Sequence, residues 1–304
     1  MSFNFNVFNV GAKGKFLRSL LFRIVNDSWL ESIASSIGGS AYFNSFSERL
    51  HLLYILNEVS DSMKTTFFTA LFLCFFAGSS FAEWRLELYG GVFFPGRSDI
   101  TVKRPLAGDN VTYRDLAWDD RSFEKPIYYG YRIGYFFGDQ DRTGIELELV
   151  HAKIYSDPDS HLMASGLIAN QPVDGLRRLG EHIQRFDLSH GHNLLMVNFV
   201  RKAAPWREGT FSSTRPHLVF RAGIGPCISH TESLIEDRFK DGYEIGGLGV
   251  QAAAGVVMPL ANNFYLPFEY KYSYSWLRDL DIVQGKADMN VGGSHIAFGA
   301  GVRF

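Results

Sequence analysis

YLPFEYKYSYSW, from Tyr265 to Trp276, is the stretch that decides the fold. Leu266, Phe268, Tyr270, Tyr272, Tyr274 and Trp276 alternate with Pro267, Glu269, Lys271, Ser273 and Ser275. A repeat of two residues is the signature of a β-strand, because successive side chains point to opposite faces. One face is a ladder of aromatic rings, and the other is polar or small. The same beat runs through SHIAFGAGVRF (Ser294 to Phe304). There Ile296, Phe298, Ala300, Val302 and Phe304 alternate with His295, Ala297, Gly299, Gly301 and Arg303. It runs again through WRLELYGGVFF (Trp84 to Phe94), with Trp84, Leu86, Leu88 and Val92 on one face and Arg85, Glu87 and Tyr89 on the other.

Two architectures share this alternation. A soluble β-sandwich turns its apolar face into a protein core. A membrane barrel turns it toward lipid and keeps polar and small groups inside. Segments of about ten residues or more are the length a tilted strand needs to cross a bilayer. A barrel also satisfies every backbone hydrogen bond in lipid. Phe304, ending the last aromatic face, resembles the C-terminal signature read by the outer-membrane barrel assembly machinery.

A further mark lies upstream. Met63-Lys64 precedes FFTALFLCFFAG (Phe67 to Gly78), and SSFA ends at Ala82. This is a short positive start, a brief apolar run and a small-residue cleavage site, the pattern of a secretory signal peptide. The expected organisation is therefore a signal peptide at 63–82, cleavage after Ala82 and a barrel at 83–304. Residues 1–62 are read as a misassigned upstream start or a disordered extension. Cys74 leaves with the signal peptide, so Cys227 is alone and no internal disulfide forms.

The expectation is an all-β protein: an eight-stranded antiparallel transmembrane β-barrel with a signal peptide, placed in the bacterial outer membrane. The predicted strands are 84–94, 127–137, 143–155, 187–201, 216–229, 244–258, 264–276 and 293–304. The connections 138–142 and 260–263 are short turns. The segments 95–126, 156–186, 231–243 and 277–292 are read as long outer loops. An interior this narrow is filled by its own side chains. Glu87, Arg132, Glu146, Glu148, Arg221, Glu269 and Lys271 are expected to fill it as a paired polar core. A formal net charge of −2 gives no basic surface for nucleic acid.

This topology sends five histidines to the outer end: His151, His190, His192, His230 and His295. Glu232 follows His230 closely. Imidazole is the commonest metal ligand and the usual proton carrier near neutral pH, and histidines with a carboxylate suit a redox-active or other divalent metal. His151, His190, His230, Glu232 and His295 are the candidate catalytic residues, and His190, His230 and His295 the candidate metal ligands. Alternation from Leu147 and Leu149 puts His151 on the lipid side unless a bulge intervenes. Lys153, Arg97 and Arg104 are candidate contacts for the phosphates of lipopolysaccharide. GIGPC (Gly223 to Cys227) sits within a strand, so no dinucleotide fingerprint is present and no flavin or nicotinamide is expected.

Several blocks carry a family resemblance. GIELELVHAKIY (Gly144 to Tyr155), LSHGHNLLMVN (Leu188 to Asn198), GIGPCISHTE (Gly223 to Glu232), PFEYKYSYS (Pro267 to Ser275) and SHIAFGAGVRF resemble, in order, those of the lipid A oxidase family, within the broader OmpA-like and opacity-like barrels. The resemblance implies an outer-membrane enzyme that oxidises the proximal glucosamine of lipid A to aminogluconate, with molecular oxygen as co-substrate. Two other readings stay open. One is a structural or adhesive surface barrel without chemistry. The other is a lipid A deacylase, which needs a serine beside a histidine and a carboxylate. Ser294 and His295 are sequence neighbours, and neighbours on a strand face opposite sides.

Overall fold

A computed structural model of the chain describes residues 83–138, 141–204, 212–261 and 263–304. The expected signal peptide and the 1–62 segment lie outside the described residues. Among those described, thirteen strands form one antiparallel sheet, and the helical content is a short 3-10 turn at Leu179–Glu181. No described helix is long and apolar enough to cross a membrane.

Eight strands close a ring. They are β1 (Glu83–Pro95), β5 (Tyr129–Phe137), β6 (Thr143–Ser156), β9 (Arg185–Ala203), β10 (His217–Ile235), β11 (Arg238–Ala261), β12 (Phe264–Ile282) and β13 (Gly285–Arg303). Each pairs with the next, and β1 pairs back onto β13 from Arg85↔Arg303 to Pro95↔Gly293. Closure removes the unpaired edges an open sheet would expose. The other five strands are β2 (Ser98–Arg104), β3 (Asp109–Leu116), β4 (Trp118–Asp119), β7 (His161–Ile168) and β8 (Gln171–Arg178). They lie in the outer connections. β2, β3, β7 and β8 continue the sheet from the outer part of β13, and β4 pairs β6.

The two faces of the ring separate by polarity. Leu88, Val197, Phe199, Phe220, Ile224, Phe268, Tyr270, Phe298 and their neighbours stand exposed on the outside. In water this surface would be a liability, because contiguous exposed apolar patches of this extent mark interaction with protein or lipid. The inside holds charge. Arg132 bonds Glu87, Glu148 and Glu269. Arg221 bonds Glu146 and Glu269, and Lys271 bonds Glu148. Asn198 and Gln251 also donate to Glu148. Apolar outside and polar inside on a closed antiparallel ring is the transmembrane barrel of bacterial outer membranes. All seven expected interior residues are buried there, and their ion pairs fill the lumen.

The outer ends depart from the expected boundaries. Segments 231–243 and 277–292 are not loops but strand, so β10 with β11 and β12 with β13 rise as hairpins well past the apolar belt. The β10–β11 hairpin turns on Glu236 and Asp237, with φ of 54° and 59°. Two positive φ values in a two-residue loop match strand twist, but the usual sequence for it is Asn-Gly. Glu-Asp gives no such signal, so the turn was hidden. The stretches 95–126 and 156–186 also carry strands. Cys227 is free and buried, and Cys74 lies outside the described residues.

Candidate functional site

Strand parity divides the five histidines. His192 and His295 point into the barrel, and His151, His190 and His230 lie on its outer wall. On β10 the outward row runs Ile224, Pro226, Ile228, His230, Glu232, so the last two stand just above the lipid-facing belt. On β11 Tyr243 lies opposite His230, and Asp241 opposite Glu232.

His190 reaches them through a bulge in β9. Ala152 pairs with His192 and Ile154 with Leu188, so Ser189, His190 and Gly191 face Lys153 alone across the β6 side. The β10 pairing skips at the same place, between Ser229↔His192 and Glu232↔Asp187. Gly191 has φ of 135°, which a side chain strongly disfavours. Bulges of this kind re-aim side chains. Here the bulge swings Ser189 and His190 onto Glu232.

The resulting cluster is compact. Ligating atoms of His190, His230 and Glu232 all lie within 4.8 Å of one another. His190 Nδ1 is 3.2 Å from Glu232 Oε1, and His230 Nδ1 is 3.8 Å from it. The two imidazole rings meet edge-on at 4.9 Å, and Tyr243 packs against His230 at 4.4 Å. Ser189 donates its hydroxyl to Glu232 Oε1 and lies 3.0 Å from His190 Nδ1. Arg185 Nη1 approaches Glu232 Oε2 at 3.4 Å while its Nε bonds Asp187 at 2.7 Å. Burial pushes the Asp187 carboxyl above its usual range, even though the Ser156 amide and Arg185 pull it down. His190 is the open side of the cluster, with its side chain 59% exposed.

Two imidazoles and one carboxylate on one face form a donor set that suits a divalent transition metal with open positions. The residues present therefore fit the metal anticipated from sequence, with one change of ligand. His295 does not join the group. Its Nδ1 meets Tyr128 at 3.0 Å, its Nε2 meets Ser273 at 2.7 Å, and its ring stacks on Phe93. Glu232 takes the third place. The parity of His295 with Ala297 and Gly299 already marked it as inward.

The other expected residues scatter. His151 stays on the outer wall, stacked on Tyr129 at 4.7 Å, with Nδ1 2.8 Å from Asn193. The bulge comes after it and belongs to β9, so it does not turn His151 inward. Lys153 donates to the Glu124 carbonyl at 2.8 Å. Arg97 pairs with Asp115 at the surface. Arg104 is buried between Asp109 and Glu236 in the outer sheet, so it offers no open contact for phosphate. Sequence reading missed Ser189 and Arg185. A serine and an arginine near histidines carry no spacing signal until the bulge is known.

The Ser189, His190 and Glu232 trio does not form a serine-hydrolase relay. In such a relay the serine hydroxyl meets one imidazole nitrogen and the carboxylate meets the other. Here both partners share His190 Nδ1, and the serine proton goes directly to the carboxylate.

No protein-family model matches the chain, and no curated protein matches its sequence. Several solved structures are similar to it at low identity. Neisserial surface protein A is 12% identical, with 75% of this chain and 99% of that one covered and a TM-score of 0.33. Ail, the attachment invasion locus protein of Yersinia pestis, is 11% identical, with 73% and 97% covered and a TM-score of 0.30. The outer membrane protease OmpT of Escherichia coli is 9% identical, with 74% and 97% covered and a TM-score of 0.36.

Proposed function

We propose that this outer-membrane barrel is an oxygen-dependent oxidase of the proximal glucosamine of lipid A, with His190, His230 and Glu232 holding a redox-active or divalent metal. The observation that carries the reading is the place of that cluster. It lies on the outer wall, directly above the lipid-facing belt, where the sugars of an outer-leaflet glycolipid lie. A lumen site would be closed to such a substrate by the ion pairs inside.

The chemistry balances with oxygen alone as oxidant. Loss of two hydrogens from the sugar's C1 hemiacetal gives a lactone, and water opens it to the acid, a net gain of one oxygen. Molecular oxygen takes the two electrons and two protons. A metal bound by the cluster supplies redox or Lewis-acid character there. The chain's own groups orient and move protons. Ser189 and Arg185 fix the two oxygens of Glu232, and exposed His190 faces the incoming sugar. Arg185, nearly half exposed, is the cation beside the centre suited to a lipid phosphate. It takes the role that sequence gave to Arg104. Phe304, exposed at the end of β13, is offered to the assembly machinery.

The test is to express the chain in a bacterium whose lipid A bears a free C1 hydroxyl on its proximal glucosamine, as the oxidation requires, and to weigh that lipid A, with His230→Ala as control. A gain of one oxygen, absent in the control and without air, supports the oxidase. An unchanged mass from a barrel folded in the membrane moves the weight to a structural or adhesive role. Loss of an acyl chain points instead to a deacylase.

A further inference from the structure

A groove of about 320 Å3 opens on the outer wall between the end of β1 and the segment 119–124. Its floor is apolar. Val92 and Phe94 belong to the outward row of β1 that begins with Leu86 and Leu88, so the floor continues the lipid-facing belt. Phe94 is 54% exposed, and Phe123 overhangs the groove at 82%. Ile127, four residues further along the chain, is exposed as well. Its rim is charged, with Asp119, Asp120 and Glu124 around a single Arg121.

The walls are held in place. Ser122 Oγ accepts the Phe93 amide at 3.0 Å and donates to Asp120. Tyr128 N donates to the Ser122 carbonyl at 2.8 Å, and Lys153 ties the Glu124 carbonyl to β6. Arg121 lies over the Tyr155 ring at 4.3 Å, where it meets Asp119 at 3.3 Å and Glu124 at 3.8 Å. Asp119 and Glu124 remain largely exposed.

Exposed aromatic rings on a segment pinned by buried hydrogen bonds are costly in water and favourable against an acyl chain. An acidic rim with one guanidinium repels a purely anionic head group. It complements one that carries an ammonium beside its phosphate. We propose that this groove binds one outer-leaflet amphiphile with an ethanolamine-phosphate type head group. The acyl chain lies on Val92, Phe94 and Phe123. The ammonium meets Asp119 and Glu124, and the phosphate meets Arg121. This site is independent of the metal-binding reading of His190, His230 and Glu232.

The experiment is native mass spectrometry of the full chain, folded in maltoside micelles and titrated in turn with phosphatidylethanolamine, phosphatidylcholine and phosphatidylglycerol at equal ratios. One phosphatidylethanolamine is expected to be retained several-fold above the other two. The double variant Asp119→Lys, Glu124→Lys should remove that preference, since each exposed charge contact is worth a factor of about 2 to 5. Phe123→Ser should lower retention of all three lipids, and Asp159→Lys, an exposed acid elsewhere, should change nothing. Heat-modifiable gel mobility reports whether each variant is folded. Equal retention of the three lipids overturns the proposal. So does a preference for phosphatidylglycerol, or an ethanolamine preference that survives reversal of the rim.

Discussion

Ser189 on the β9 bulge donates its hydroxyl to Glu232 on β10, so the residue next to one imidazole of the cluster also holds the carboxylate. Partners of this kind set ligand orientation, and their loss commonly weakens metal binding by about 10-fold to 100-fold. Ser189→Ala should therefore weaken Co2+ binding by about 10-fold while leaving the barrel folded. A titration followed by visible absorption measures this. An unchanged affinity would remove Ser189 from the set.

The ligand assignment separates His295 from the cluster. His190→Ala, His230→Ala and Glu232→Gln should each abolish stoichiometric Co2+ binding. His295→Phe should leave binding intact, because that ring is hydrogen-bonded within the barrel by Tyr128 and Ser273. Loss of metal in His295→Phe with the fold retained would return His295 to the ligand set.

Gly191 holds the bulge open at φ of 135°. A side chain there costs on the order of 1–2 kcal/mol in backbone strain. A Cβ would also meet the Asn193 amide group at 2.3 Å. Gly191→Ala should loosen residues 187–192 and lower metal affinity while the rest of the barrel stays folded. Hydrogen exchange resolved to this segment decides it, and unchanged protection there would count against the bulge as the positioning device.

The lumen is plugged by buried ion pairs. Arg221 bonds Glu146 and Glu269, all nearly fully buried. Removing one partner of a buried pair strands the others at a cost of about 3–5 kcal/mol. Arg221→Met should show a loss of that size in urea unfolding from lipid vesicles. The wild-type barrel should give no stable ion conductance in a planar bilayer. A steady open channel would mean the plug is not closed.

Two aspartates of the outer extensions should respond to acid with opposite signs. Burial alone would raise the Asp109 carboxyl, but the Ala169 amide, His182 and Arg104 outweigh it, and its pKa falls below the ordinary 3.8. The stability it adds is complete above 3.8 and is lost as pH falls below that value. Asp187 is raised by burial, so its folded form binds a proton first, and its contribution improves as pH falls through its raised pKa toward 3.8. At pH 7, Asp109→Asn should destabilise the outer sheet. Asp187→Asn should be neutral or stabilising. Exchange protection of the outer hairpins measured across pH reads both, and a shared sign would refute the assignment.

The ring was legible because alternation survives wherever a strand is polar on one side and lipid-facing on the other. Glu269, Lys271 and their neighbours announced the lumen in this way. Above the belt both faces of β10 to β13 meet protein or water, the alternation fades, and Ser233 or Leu277 gives no parity signal. That is why 231–243 and 277–292 read as loops. The candidate cluster was half legible. His190, His230 and Glu232 share the outer end in any register, but their convergence depends on extra residues in β9. Only the pairing of Ala152 with His192 and Ile154 with Leu188 reveals them. The inward turn of His295 was in the sequence all along, carried by the small residues that alternate with it.

The seam between β1 and β13 ends with Trp84 N donating to the Phe304 carbonyl at 2.9 Å and Phe304 N donating to the Trp84 carbonyl at 3.0 Å. Those bonds are of the same kind as every other rung, so the ring has no privileged starting stave. A circular permutant of residues 83–304 that joins Phe304 to Glu83 through a short linker and opens the chain at Glu236 and Asp237 would keep every rung of the barrel, though Phe304 would no longer end the chain. It would place both new termini at the tip of the outer hairpin, where a tag displayed on the cell surface would sit.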